Sequence, residues 1–94
     1  MSMPPETIDN AEVLYWAWSG DMPFGVVNYP DGSVAFKIFG LALCKYRESP
    51  TIYRFSCDQE WEAVQDSNYA SLAEAMEELP EQYQNVSAKW CKYE

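Results

Sequence analysis

The stretch Ser33–Arg47, SVAFKIFGLALCKYR, constrains this chain more than any other. Its even positions are Val34, Phe36, Ile38, Gly40, Ala42, Cys44 and Tyr46, all apolar or glycine, which is the pattern of a strand with one face buried. The odd positions, Ala35, Lys37, Phe39, Leu41, Leu43, Lys45 and Arg47, are charged toward the ends and apolar in the middle. One long central strand is expected, with partners on both edges.

The flanking turns set a register. Tyr29-Pro30-Asp31-Gly32 carries turn chemistry, with proline fixing φ and glycine accepting the left-handed position. A loop closed by Tyr29 and Ser33 would place Val26 opposite Phe36 and Phe24 opposite Ile38. On the other side, the loop Glu48–Thr51 would place Arg47 opposite Ile52, Tyr46 opposite Tyr53, Cys44 opposite Phe55 and Ala42 opposite Cys57. Lys45 would then face Arg54. A turn at Asp58-Gln59-Glu60 would start another strand, pairing Cys57 with Trp61 and Phe55 with Ala63, although no glycine or asparagine is present to take a left-handed position. A short helix through Trp61 and Val64 is the alternative there.

Residues 9–20, DNAEVLYWAWSG, fit two readings. Asp9 and Glu12 could form a helix capping box, with Ala11, Leu14, Tyr15 and Trp18 on one face. The run Val13–Trp18, rich in aromatic residues, also fits a strand buried on both sides, and strand is the preferred reading. After a break at Asp66-Ser67-Asn68, Ser71-Leu72-Ala73-Glu74 is a capping box opening a helix. Leu72, Ala75, Met76 and Leu79 give that helix an apolar stripe, with Glu74, Glu77 and Glu78 on its other side. Pro80 ends or kinks it, with a short extra turn through Tyr83, and Val86–Tyr93 alternates as a closing strand. The predicted fold is α+β: an antiparallel sheet of about five to six strands in meander order, with one amphipathic helix packed on one face. Residues 1–94 make one small acidic domain, with 1–8 as a flexible tail.

Charge and composition remove several classes of function. Fifteen acidic residues against six basic ones give a net charge of −9, which disfavours binding to nucleic acid or to an anionic membrane. No apolar run approaches the roughly 20 residues that span a bilayer, and the start MSMPPETIDN does not read as a signal peptide. The chain contains no histidine, so Ser-His and Cys-His nucleophile pairs and the commonest zinc ligand are absent. Cys44, Cys57 and Cys91 form no close pair and read as reduced thiols, Cys44 and Cys57 in the core. No phosphate loop, nucleophile elbow or metal motif is present, and no carboxylate has the apolar setting that acid–base catalysis favours. A non-enzymatic cytoplasmic protein without a cofactor is expected.

Two features stand out as candidate partner-binding surfaces. From Asp58 to Glu81 there are eight acids and no lysine or arginine, so Glu74, Glu77, Glu78 and Glu81 could present carboxylates to a basic protein. The same residues also suit an ordinary solvated helix face. The apolar odd positions Phe39, Leu41 and Leu43 need a cover, supplied by the chain itself, by a partner or by a homodimer. The leading functional expectation is a protein–protein binder, in its specific form an inhibitor or immunity-type protein acting on a basic partner. The alternative is a small-ligand domain with a pocket lined by Tyr15, Trp16, Trp18, Trp61 and Trp90.

Overall fold

A computed structural model describes residues 3–79 and 83–94. Among the described residues, eight strands and one helix follow in chain order: β1 (Thr7–Ile8), β2 (Ala11–Trp18), β3 (Gly25–Asn28), β4 (Val34–Ile38), β5 (Gly40–Lys45), β6 (Ile52–Cys57), β7 (Ala63–Tyr69), α1 (Leu72–Glu77) and β8 (Cys91–Lys92). The main sheet is antiparallel and curled, in the order β1-β2-β5-β6-β7, with β8 also on β2, while β3 and β4 form a separate two-stranded sheet.

The expected long strand is two strands. They part at Phe39, whose N–H donates to the Cys57 carbonyl (3.0 Å) and whose carbonyl accepts from Ser19 N–H (2.9 Å). Up to that point the chain belongs to the β3–β4 hairpin; beyond it, β5 runs through the middle of the main sheet. The order is therefore not a meander. β2 takes the edge of β5 expected for the first hairpin, pairing Trp16 with Ala42 and Trp18 with Gly40. Residues 11–18 are strand, the preferred reading, and their eight-residue length offers β5 a longer partner than the four residues of β3.

The hairpin registers shift in instructive ways. The first loop closes as expected, Tyr29 N–H donating to the Ser33 carbonyl at 2.8 Å. An irregularity then pairs Asn28 with Val34 but Val27 with Phe36, so Val26 faces Lys37 rather than Phe36 and Gly25 faces Ile38. In the second hairpin Cys44 lies opposite Tyr53 and Ala42 opposite Phe55, two residues away from the expected pairing. A two-residue shift preserves the faces, because side chains alternate with period two. β7 begins at Ala63 and runs through Asp66-Ser67-Asn68, the stretch expected to break the chain. The turn before it is made without glycine: Trp61 itself takes φ 62°, while Asp58 Oδ1 accepts from the N–H groups of Glu60 and Glu62.

Each face of β5 has its own core. Ala42 and Cys44 pack with Ile8, Ala11, Val13, Phe55, Cys57 and Trp61. Leu41 packs with Ala17, Phe24, Ile38 and Tyr83, and Leu43 with Ile52 and Ala75 of α1. The helix thus covers the odd face. It is short, six residues, with Ser71 as N-cap accepting from Glu74 N–H at 3.1 Å. Ala75 is buried, Leu72 and Met76 are half-buried, and Leu79 lies past the helix end.

Both chain ends join the same edge. Thr7–Ile8, expected in a loose tail, pair with β2 through a two-residue turn in which Asp9 (φ 49°) and Asn10 (φ 68°) are left-handed. Cys91–Lys92 pair with Trp16 and Tyr15 further along β2, and Tyr93 Oη donates to the Pro4 carbonyl at 3.1 Å. The closing strand is thus confined to these two residues, not Val86–Tyr93. Of the extra turn expected through Tyr83, residues 80–82 lie outside the described ones, and Tyr83 is buried.

Candidate functional site

The acidic side is built by β7 and α1 together. β7 is the last strand of the main sheet, and the helix that follows it packs back over β6 and β7. Because Ala75 points into the core, Glu74 and Glu77 stand exposed on the outer side, and Glu78, the C-cap, is exposed just past the helix end. Glu74 also completes the cap: its Oε1 accepts from Ala70 N–H at 3.2 Å. Glu60, Glu62 and Asp66, before and within β7, are exposed as well. Glu81 lies outside the described residues.

Beneath this surface lies a side chain that sequence reading placed wrongly. Arg54, expected on a polar side facing Lys45, is opposite Leu43 and only 1% exposed. Its Nη1 donates to Tyr69 Oη (2.7 Å) and to the Glu78 carbonyl (3.3 Å), and its Nη2 donates to Ser67 Oγ (3.2 Å). The rings of Tyr69 and Tyr83 lie 5.7 and 5.5 Å from its guanidinium carbon. Nε has no partner. A cation held at the carbonyl end of α1 suits the helix dipole and satisfies a terminal carbonyl. It also withdraws one of the chain's six positive charges from the surface. The signal in the sequence was the spacing Ile52, Arg54, Ser56, which places Arg54 on the face of the Leu41–Leu43 strip.

That strip is not an interface. Leu41 and Leu43 are completely buried by the chain itself, and Phe39 is nearly so, packing on Trp18 with ring centroids 6.0 Å apart. The greasy odd positions are an internal core face, so a homodimer through Phe39, Leu41 and Leu43 is excluded by their burial.

The aromatic residues proposed to line one pocket separate onto two faces. Trp16 and Trp18 pack with Trp61, centroids 6.2 and 5.6 Å apart, on the Ala42–Cys44 side. Tyr15 and Trp90 lie with Leu43 on the other side. A groove of about 670 Å³ runs past Val13, Tyr15, Leu72 and Tyr93, with Glu6, Glu12, Lys92 and Glu94 also lining it, and takes only Tyr15 from the proposed set.

Cys44 and Cys57 are buried free thiols, and Cys91 is exposed. Burial, reinforced by the charge of Asp9, pushes the Cys44 thiol up to about 12, and burial pushes Cys57 up as well, helped by Cys44, Asp58 and Asp9. Thiols so shifted stay protonated and are poor nucleophiles and ligands. Among the described residues, no group of three or more cysteine, aspartate or glutamate side chains could hold a metal ion, and no helix is long and apolar enough to cross a membrane. No protein-family model matches the chain, and neither a curated protein nor a solved structure shows significant similarity to it.

Proposed function

We propose that this protein is a small cytoplasmic binder that acts by protein–protein contact, engaging a basic partner through the acidic side formed by β7 and α1. In its specific form it is an inhibitor or immunity-type protein that occupies a basic groove and performs no chemistry of its own. The observation that carries this reading is the outward display of Glu74, Glu77 and Glu78 while Arg54, the nearest cation in the sheet below, is buried. Burying that charge removes a neutralising group from the surface and strengthens the outward negative field. An exposed carboxylate cluster steers a basic partner and contributes more to association rate than to affinity at ordinary salt. The absence of histidine and of nucleophile or phosphate motifs is in keeping with a binding role.

The test reverses Glu74, Glu77, Glu78 and Glu81 to lysine together. Partners captured by the wild-type chain from cells of its own source are identified, purified and titrated against both forms. Loss of binding by the reversed form, and weakening of wild-type binding as salt is raised, are expected. Binding that survives the reversal overturns the acidic-face reading.

A further inference from the structure

We infer that the β3–β4 hairpin is a self-association arm, with β4 pairing antiparallel to β4 of a second copy of this chain. Of the exposed large apolar side chains, four lie on or beside this hairpin: Met22 (60% exposed), Tyr29 (55%), Val34 (52%) and Phe36 (42%). Exposed apolar groups concentrated on one projecting element mark an interaction surface more clearly than scattered ones.

The hairpin is held to the body mainly at its base, with Val27 of β3 also packed against the core. Phe24 and Ile38 are buried in the core beside Leu41 and Tyr83, and Asn85 N–H donates to the Phe24 carbonyl. The far end is a rigid turn, with Asp31 Oδ1 accepting from both the N–H and the hydroxyl of Ser33. Two strands alone make a marginal sheet, and their outer edges present unsatisfied backbone groups. Among the described residues β3 and β4 pair only with each other, and Asn85 already donates to the Phe24 carbonyl beside β3, so β4, with its exposed Val34 and Phe36, is the edge open to a new strand.

Charge selects the occupant. Between Met22 and Ile38 the charged residues are Asp31 and Lys37, which cancel, although the whole chain carries −9. A basic partner gains nothing on this arm, while two acidic copies can meet here with their negative surfaces apart. A two-fold axis at Ala35 sets Phe36 against the second copy's Val34 and brings Lys37 beside its Asp31–Ser33 corner. Such an isologous contact closes as a dimer and makes one four-stranded sheet from two ribbons.

Sedimentation and light scattering of the full chain at low and high concentration test this. A dimer mass that grows more prevalent as salt rises is expected, because salt screens the repulsion between acidic bodies and leaves apolar contact intact. That salt dependence is opposite in sign to the one expected for a basic partner, so the two proposals fail separately. The double variant Val34→Lys/Phe36→Lys, altered at exposed positions, should keep the wild-type melting transition and lose the dimer mass. An Ala35→Cys/Cys91→Ser chain should form a disulfide-linked dimer on mild oxidation, since facing residues near a two-fold axis lie within disulfide reach. A chain that stays monomeric at high concentration and high salt overturns the proposal. So does a dimer that survives the double variant, or one that fails to cross-link in the Ala35→Cys/Cys91→Ser chain.

Discussion

The indole of Trp61 fills the space where a side chain on Gly40 would begin. A Cβ built on Gly40 would lie 2.5 Å from Cζ3 and 2.8 Å from both Cε3 and Cη2 of that ring. The ring is wedged by Trp16 and Trp18 and hangs from a backbone at φ 62°, so it has little freedom to yield. Gly40→Ala should therefore destabilise the fold by about 1–3 kcal/mol, the range for overpacking a core. The loss should be smaller when Gly40→Ala is introduced into a Trp61→Ala background, and urea unfolding of the four chains of this cycle measures the coupling.

Arg54 ties β6 to the carbonyl end of α1 through Tyr69, Ser67 and the Glu78 carbonyl. Arg54→Ala removes those donors and leaves a void, and should cost about 2–4 kcal/mol. Arg54→Met keeps most of the volume and removes a buried charge with an unpartnered Nε, so it should cost less than alanine. Denaturant melts rank the variants. In both, hydrogen exchange at the amides of α1 should accelerate relative to that of β5, a local effect that general destabilisation would not produce.

Much of the fold was legible from alternation and turns. The Tyr29–Ser33 closure, the Ser71 cap and the facing of Ala42 and Cys44 into one core follow from residue chemistry alone. The second hairpin slipped by two residues without changing a face, because sequence patterning specifies parity more strongly than position. What alternation could not show was competition for edges: whether β2 or β3 pairs with β5 depends on the area each buries, a non-local quantity. The break at Phe39 is of the same kind, since the stretch reads as continuous strand and only the Ser19 and Cys57 contacts divide it. The left-handed Trp61 was invisible for another reason, since such a conformation in a bulky residue persists only when packing enforces it.

The candidate site was legible in part. The exposed positions of Glu74 and Glu77 follow from helical spacing against Ala75, whereas Glu78 is exposed as the non-helical C-cap. Phe39, Leu41 and Leu43 were ambiguous because an apolar face looks the same in sequence whether its cover is internal or a partner. Arg54 was misplaced because a charged residue is ordinarily assigned to solvent, and its neutral partners, Tyr69 and the Glu78 carbonyl, lie 15 and 24 residues away.

Ser71 offers a test of the helix that leaves the acidic face intact. Its Oγ accepts from Glu74 N–H, and Ser71→Ala leaves that donor to water, at a cost of about 1 kcal/mol. Ser71→Asp keeps an acceptor and should be nearly neutral. Far-UV circular dichroism through a thermal melt would show an earlier transition for alanine only, with unchanged affinity for a basic partner at temperatures where both chains are folded.

The buried thiols set an alkaline limit on stability. Cys44 titrates near 12 in the folded chain against an ordinary value of 9.0, and Cys57 is also raised, chiefly because burial disfavours the thiolate. Below the ordinary thiol range both folded and unfolded chains hold these protons, and neither thiol contributes a pH dependence. Between 9.0 and about 12 the unfolded chain has released the Cys44 proton while the folded chain keeps it, so stability falls as pH rises. The slope is about 1.4 kcal/mol per pH unit for each such thiol. Denaturant melts at increasing pH should show this decline, and a Cys44→Ala/Cys57→Ala chain should show a shallower one. In the native chain at neutral pH a thiol alkylating reagent should label the exposed Cys91 alone, and it should reach all three cysteines only once the sheet is unfolded.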